Sequence, residues 1–189
     1  MVFLKVRIMD TIEFGLDGLK LLKSKVFEDS RGFFLESYRK SFYKELGIDV
    51  DFLQDNLVFS HSKVIRGMHF QTEPGQDKLI YVVQGEILDV AVDIRPSSPT
   101  FGKYHAEVLN DKNRHQFFIP HGFAHGYCVL SDSAYVAYKV SNVYLSDKEI
   151  GFKYNDPKVG IQWPVKDPII SAKDQNSLSF DEIDFSKWF

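Results

Sequence analysis

The segment IRGMHFQ (65–71) places a histidine in the middle of a predicted strand. An imidazole titrates near neutral pH, so His69 is a candidate general base, although a hydrogen-bonded structural histidine is the plainer interpretation. Arg66 lies three residues away, and a regular strand sends residues three apart to opposite faces. Both side chains reach one pocket only if the strand is irregular, and we expect a bulge at Gly67.

A second segment, IPHGFAHGY (119–127), carries Pro120, Gly122 and His125 at a spacing that resembles the second motif of the cupin superfamily. In metal-binding cupins that histidine is a ligand, and the partner motif supplies an H-x-H pair. The matching strand here has His69-Phe70-Gln71, followed by Lys78. A divalent ion normally needs at least three protein ligands, so we expect neither a metal nor another cofactor.

Two further segments contain candidate acids and cations. In YVAYKVSNVY (135–144) the alternation puts Tyr138 on the face of Val136 and Val140, where its phenol either packs or donates a proton. In SAKD (171–174), Lys173 and Asp174 are a solvated pair unless the irregular tail folds back over the mouth of the barrel.

The elements that must position these side chains are short strands separated by turn signals, which predicts an all-β jelly roll or barrel with few short helices. The one clear helix is predicted at 39–47. Hairpins are expected at 78–94, turning at Gln84-Gly85, and at 123–144, turning at 130–132. After Tyr144, prolines predict a looped tail. Strands are expected at 19–26, 33–38, 51–62, 64–71, 78–83, 86–94, 103–109 and 114–119.

Composition narrows the class of protein. The chain has 189 residues, a net charge of −3 and a single cysteine, Cys128. This length fits one domain spanning 1–189, and the mixed charge gives no electrostatic case for nucleic acid or membrane binding. The lone cysteine and a charged N-terminus without an apolar signal segment favour a cytoplasmic protein.

Seven segments in the same order resemble the dTDP-4-dehydrorhamnose 3,5-epimerases, over roughly residues 19–178. A single short motif arises easily by chance, whereas an ordered set is much more specific. The matching segments are EDSRGFFLESY (28–38), LQDN (53–56), VIRGMHFQ (64–71), 77–104, 119–144, GFKYND (151–156) and SAKD (171–174).

The resemblance implies a cupin-type jelly roll that inverts carbons 3 and 5 of a dTDP-linked 4-keto-6-deoxyhexose without a metal. His69 matches the family's base, and Asp174 matches the carboxylate that orients it. Tyr138 matches the acid on the opposite face of the sugar. Lys78 matches the cation near the sugar carbonyl, where enolate charge develops.

Binding roles are implied in the same way. Arg31, Arg66 and Lys173 match residues near the phosphates and sugar, and Tyr144 matches the ring that stacks on thymine. The resemblance also implies a homodimer in which N-terminal strands, about 1–38, cross to the partner and deliver Arg31 and Glu36, with Phe34 nearby. The remaining polar pocket residues are Glu36, Gln54, Asp55, Asn56, His125 and Glu149.

Other activities remain open on sequence alone. A single-centre 3- or 5-epimerase would keep the same base and acid, and a 3,4-ketoisomerase is a related cupin activity. A non-catalytic sugar-binding cupin is the alternative from a different class. The lead at 1–12 has no assigned role, and the aromatic residues of the tail at 180–189 (Phe180, Phe185 and Trp188) are expected to cap the barrel or a neighbouring subunit.

Overall fold

The computed structural model describes residues 9–189, which contain thirteen strands and two short helices. The all-β class is therefore confirmed. The strands are β1 Met9–Glu13, β2 Lys20–Ser24, β3 Phe27–Asp29, β4 Gly32–Phe34, β5 Gln54–His61, β6 Ile65–Gln71, β7 Lys78–Gln84, β8 Glu86–Asp93, β9 Tyr104–Asn110, β10 His115–Ile119, β11 Phe123–Val129, β12 Ser133–Val140 and β13 Glu149–Gly151. The helices are α1 Lys40–Glu45 and α2 Ala172–Gln175, and two 3₁₀ turns follow at Phe180–Glu182 and Phe185–Lys187.

Two antiparallel sheets face each other. The first has six strands in the order β1-β2-β10-β7-β12-β5, and the second has five in the order β13-β6-β11-β8-β9. The apolar cluster between them draws Phe117 and Val136 from the first sheet and Ile87 and Val129 from the second. Burying each such side chain stabilises the fold by roughly 1.5–3 kcal/mol, and this shared core holds the sheets together.

Both predicted hairpins are wrong, because in each of them the two successive strands belong to different sheets. β7 and β12 belong to the six-stranded sheet, while β8 and β11 belong to the five-stranded sheet. Gly85, at the corner between β7 and β8, has φ +89°, and a Cβ there would lie 2.2 Å from the Ser133 carbonyl oxygen. The turn signal was correct, but a glycine permits a corner between sheets as readily as a hairpin.

The N-terminal strands and the C-terminal tail differ from the sequence prediction in their bounds and in their pairing. β1 precedes the predicted first strand and pairs with β2, and the strand predicted at 33–38 ends at Phe34. The tail is mostly irregular, yet β13 pairs with β6. Phe180 and Phe185 are buried in a second apolar cluster, with Trp188 packed against it. They cover the outer face of the five-stranded sheet.

The part of the chain from residue 9 onward holds no helix long and apolar enough to cross a membrane. The lead predicted at 1–12 lies largely outside the described residues.

Candidate active site

A cavity of about 600 Å³ opens between the two sheets and is closed on one side by the tail. A cavity of this volume can hold a small organic ligand, and polar side chains at defined positions in its wall can fix the orientation of that ligand. All four predicted catalytic residues line it, together with seven of the predicted binding residues. The eleven are His69, Lys78, Tyr138, Asp174, Gln54, Asn56, Arg66, His125, Tyr144, Glu149 and Lys173.

The strand irregularity predicted at Gly67 is present. The β6–β11 register shifts between the pair His69–His125 and the pair Arg66–Tyr127. Gly67 has φ +121°, and a Cβ there would lie 2.6 Å from the Gly126 Cα, so no other residue fits without displacing the backbone. This shift brings Arg66 and His69 to the same cavity.

His69 is oriented by the tail. Its Nε2 lies 2.6 Å from Oδ1 of Asp174, which is almost fully buried at the first turn of α2. Because the carboxylate accepts from Nε2–H, the Nδ1 lone pair is left to take a proton. The tail therefore folds back over the barrel, which is the condition under which the sequence analysis assigned Lys173 and Asp174 a role beyond that of a solvated pair.

Asp174 is held in its charged form. Burial alone would raise its pKa, but hydrogen bonds from His69, the Ser171 hydroxyl and the Gly67 amide outweigh burial and lower the pKa. A permanent carboxylate beside the imidazole stabilises the imidazolium that would form on proton uptake.

Lys78 is the buried cation of the cavity. Burial lowers its pKa to about 8, and the acidic side chains of Glu149 and Asp89 oppose part of that shift. A lysine in this state is charged at neutral pH and close to the point at which it loses its proton.

Tyr138 lies on β12, in the sheet opposite His69. Its face of the strand is the predicted one, since Val136 and Val140 are buried and Tyr138 is half-buried, while Tyr135 is exposed. Burial raises the pKa of the Tyr138 phenol, with a smaller contribution from Tyr127. The phenol therefore keeps its proton at neutral pH and is able to donate it.

The cavity rim is a polar network. Lys173 forms an ion pair with Glu149, which accepts a hydrogen bond from the Tyr144 hydroxyl at 3.4 Å. The Tyr144 backbone N–H donates to the Gln54 side-chain oxygen at 2.9 Å, and Gln54 donates to Asn56 at 2.8 Å. One connected network thus joins Lys173 and Glu149 to the amides of Gln54 and Asn56 through Tyr144.

Three predicted binding residues do not reach the cavity of this chain. Asp55 alternates with Gln54 and Asn56 on β5, so it points to the other face, where it pairs with Lys139 at 2.8 Å. Arg31 lies on the exposed β3–β4 ribbon and binds Asp29. Glu36 pairs with Arg39.

A second histidine–carboxylate pair was missed. His125 Nε2 lies 3.0 Å from both carboxylate oxygens of Asp89, which is completely buried. Alternation along β8 puts Asp89 on the same face as Ala91, but only the β8–β11 register, which pairs Ala91 with His125, shows that Asp89 and His125 are diagonal neighbours. Tyr127 and Gln76 also line the cavity without having been predicted.

No group of three or more histidine, cysteine, aspartate or glutamate side chains within residues 9–189 is arranged to hold a metal ion. The residue at the position of the second cupin histidine, Gln71, instead hydrogen-bonds the backbone at Val143 and Leu145. Metal-free chemistry stays a prediction.

The sequence of the chain matches one protein family over most of its length. A family model described as dTDP-4-dehydrorhamnose 3,5-epimerase matches residues 13–182. The chain is 49% identical, over 88% of its length, to an enzyme of that name from Neisseria gonorrhoeae, of which it spans about half (51%). It is 35% identical to a dTDP-4-dehydrorhamnose 3-epimerase from Streptomyces niveus, covering 89% of this chain and 82% of the relative.

The structure is similar to that of the dTDP-6-deoxy-D-glucose-3,5-epimerase of Legionella pneumophila, solved in complex with dTDP-4-keto-L-rhamnose. The TM-score is 0.91 at 43% identity, with 94% of this chain and 96% of the other covered. This likeness confirms the predicted cupin-type jelly roll. The chain belongs to the dTDP-4-dehydrorhamnose 3,5-epimerase family of isomerases.

Proposed function

We propose that the protein converts dTDP-4-dehydro-6-deoxy-D-glucose to dTDP-4-dehydro-L-rhamnose by inverting carbons 3 and 5. One observation carries the proposal: an Asp174-bound imidazole and a protonated phenol line one cavity from different sheets. Inversion requires a base on one face of the carbon and an acid on the other, and these two side chains supply them.

His69 is the proposed base. The ketone at carbon 4 acidifies the hydrogens on carbons 3 and 5, because the electron pair left behind is delocalised as an enolate. Nδ1 of His69 takes the proton, and the charged Asp174 stabilises the resulting imidazolium.

Lys78 is the proposed electrostatic partner of the enolate. Its charge is desolvated within the cavity, where an interaction with developing negative charge is stronger than in water. His125, held by Asp89, offers a second polar contact beside it.

Tyr138 is the proposed acid. Its O–H bond breaks as a new C–H bond forms with the enolate's electron pair on the face away from His69, and the phenolate keeps the O–H electrons. The imidazolium then gives its proton to solvent and the phenolate takes a proton from solvent, and the same two steps at the second carbon complete the epimerisation.

Substrate binding is assigned to the polar rim. Arg66 and Lys173 suit the diphosphate, since both are cations at the cavity, and Tyr144 is half-exposed and free to stack on thymine. Gln54, Asn56 and Glu149 offer hydrogen bonds to the sugar and nucleoside.

We further propose a homodimer that works in the cytoplasm, a reducing compartment in keeping with the single cysteine. Arg31, Glu36 and Phe34 lie outside the cavity of their own chain, which suits delivery to the partner's cavity by the segment at about 1–38. The exposed face of β5 and β12 presents Leu57, Phe59 and Tyr135, an apolar patch of the kind that protein partners cover.

The test is solvent exchange in deuterated water with dTDP-4-keto-6-deoxyglucose. Deuterium at carbons 3 and 5 together with inversion at both is the expected result. Exchange at one carbon alone would assign a single-centre epimerase, the alternative favoured by the Streptomyces niveus relative. A positional ketone isomer would indicate a 3,4-ketoisomerase, and no exchange at either carbon would reject the proposed reaction in favour of a sugar-binding protein.

A further inference from the structure

The tail segment that carries Asp174 is attached to the barrel both before and after α2. Before α2, the Ile169 carbonyl accepts a hydrogen bond from the Ile65 N–H at 3.1 Å, at the start of β6. After α2, Leu178 forms a bridge with Phe152, just beyond the end of β13. The position of Asp174 therefore depends on two attachments, one on each side of the short helix.

Phe152 connects this segment to the strand of the proposed base. Its N–H donates to the Met68 carbonyl at 3.1 Å, and its carbonyl accepts from the Met68 N–H at 3.2 Å. Met68 directly precedes His69 in β6. On the tail side, the Ser177 N–H donates to the Asp174 carbonyl at 3.3 Å and ties the end of α2 to the bridged segment that follows. Both members of the His69–Asp174 pair are therefore linked through the backbone to Phe152.

A buried carboxylate holds the tail against Phe152. Asp156 is 4% exposed, and its Oδ2 accepts from the Phe180 N–H at 2.8 Å. Its Oδ1 accepts from the Lys158 N–H at 2.9 Å, so both oxygens are used. The Phe180 ring packs edge-on against Phe152, with ring centroids 5.1 Å apart. Asp156 does not line the cavity, so its effect on the site passes through the tail.

We propose that Asp156 is a positioning residue for the base, because it anchors the tail at Phe180 and so keeps the Asp174 carboxylate on His69. The inference rests on the proposed function, in which that pair removes the proton. The Nε2–Oδ1 distance of 2.6 Å would become too long for a hydrogen bond if the tail moved by about 1 Å. A displacement of that size between reacting groups lowers rates strongly even when its origin is remote.

Asp156→Ser tests the anchor without substrate. A serine hydroxyl still forms the local turn with Lys158, but the side chain is one bond too short to reach the Phe180 N–H. The Nε2–H proton of His69, assigned by its loss in His69→Ala, is followed by ¹⁵N–¹H NMR. We expect its exchange with solvent to become roughly tenfold faster, the equivalent of one hydrogen bond, because the tail opens more often. An unchanged exchange rate would overturn the proposal.

Asp156→Asn is measured beside the serine variant and replaces it if that variant does not fold. The amide keeps the size of the side chain, but its single oxygen leaves one of the two N–H groups without an acceptor. Faster exchange of the His69 proton is again expected, and an unchanged rate would again overturn the proposal.

A double-mutant cycle tests whether Asp156 acts through Asp174. In the wild-type background, Asp156→Ser should lower kcat roughly tenfold and change KM by less than about twofold, because the substrate contacts remain. In the Asp174→Asn background the same change should lower kcat by less than about twofold, since the carboxylate to be positioned is already absent. Equal effects in the two backgrounds would show an independent structural role and would overturn the proposal.

Asp111→Ala is the matched control. The Asp111 carboxylate also accepts a backbone N–H at 2.8 Å, that of Gly85, beyond the end of β7 that lies away from Lys78. This variant should lower Tm without speeding exchange of the His69 proton, and an equal rise in the control would overturn the proposal. Because the NMR measurement needs no substrate, its outcome is independent of whether the wild-type protein inverts the sugar.

Discussion

Two histidines line one cavity and each is paired with an aspartate, yet the two carboxylates differ in electrostatic state. Hydrogen bonds from His69, Ser171 and Gly67 lower the pKa of Asp174 despite its burial. Burial raises the pKa of Asp89, with His125 and Lys78 opposing only part of that effect. The same residue types thus produce two different environments.

The cause of the difference is the backbone around each carboxylate. Asp174 sits in the first turn of α2, where its carboxylate accepts hydrogen bonds from the Ser171 hydroxyl and from the N–H of Gly67, at the irregularity of β6. Asp89 sits inside β8, whose N–H groups are committed to the sheet, so side chains alone stabilise its charge. A carboxylate at a chain irregularity is better solvated by the protein, and this suits the pair that must stabilise a new positive charge.

The largest expected effect is the loss of turnover when the histidine of the His69–Asp174 pair is removed. His69→Ala removes the proposed base and should lower turnover by roughly 10⁴-fold, at the upper end for a positioned base. The fold should persist, because His69 is not part of an apolar cluster. Turnover measured beside circular dichroism tests this, and substantial retained activity would assign the base elsewhere.

Asp174→Asn should have the next largest effect. The amide keeps the size of the side chain but removes the charge that stabilises the imidazolium, so turnover should fall by roughly 10²–10³-fold. Because the pKa of Asp174 is lowered in the fold, its stabilising contribution is present above the unfolded pKa and declines as acid protonates it. Thermal unfolding of the variant should therefore depend less on pH in the acidic range than that of the wild type.

Asp89→Asn should cost less, roughly tenfold in turnover, because His125 is a polar contact and not the base. It also removes an acidic neighbour that raises the pKa of Lys78. The basic limb of the pH profile should move to lower pH in this variant. An effect as large as that of Asp174→Asn would mean that the two pairs share the work of the base.

The smallest expected effect is the pH dependence of kcat/KM in the wild-type protein, which we assign to Lys78. Lys78 has a pKa of about 8, against an ordinary value of 10.5, so kcat/KM should fall as pH rises through about 8. Between these two values the unfolded chain binds more protons at this lysine, so this group makes the fold more stable as pH rises. We therefore expect kcat/KM to fall between pH 7 and 9, while the contribution of Lys78 to Tm does not fall. A kcat/KM that stays constant over this range would contradict the role assigned to Lys78.

Sequence patterns predicted the site better than the path of the chain. The resemblance implied that Gln54, Asp55 and Asn56 all belong to the pocket, whereas period-two alternation along β5 puts Gln54 and Asn56 on the cavity side and turns Asp55 away. The glycine at position 67 correctly marked the irregularity that unites Arg66 with His69. These predictions depend on neighbours along the chain.

The failures concern pairings between distant segments. Gly85 and the turn at 130–132 each signal a change of direction but not which sheet receives the next strand, so both hairpins were wrong. Asp89 and His125 meet only through the β8–β11 register, which no local pattern contains. Burial of the tail aromatics on the outer face of the five-stranded sheet likewise depends on a long-range contact.

The most direct test of an acid and a base acting on opposite faces is Tyr138→Phe in deuterated water with the keto-sugar substrate. We expect recovered substrate to gain deuterium, because His69 still removes and returns a proton, while inverted product falls by roughly 10²-fold or more. Inversion at the wild-type rate would show that another group supplies the proton and would contradict the role of Tyr138 as the acid.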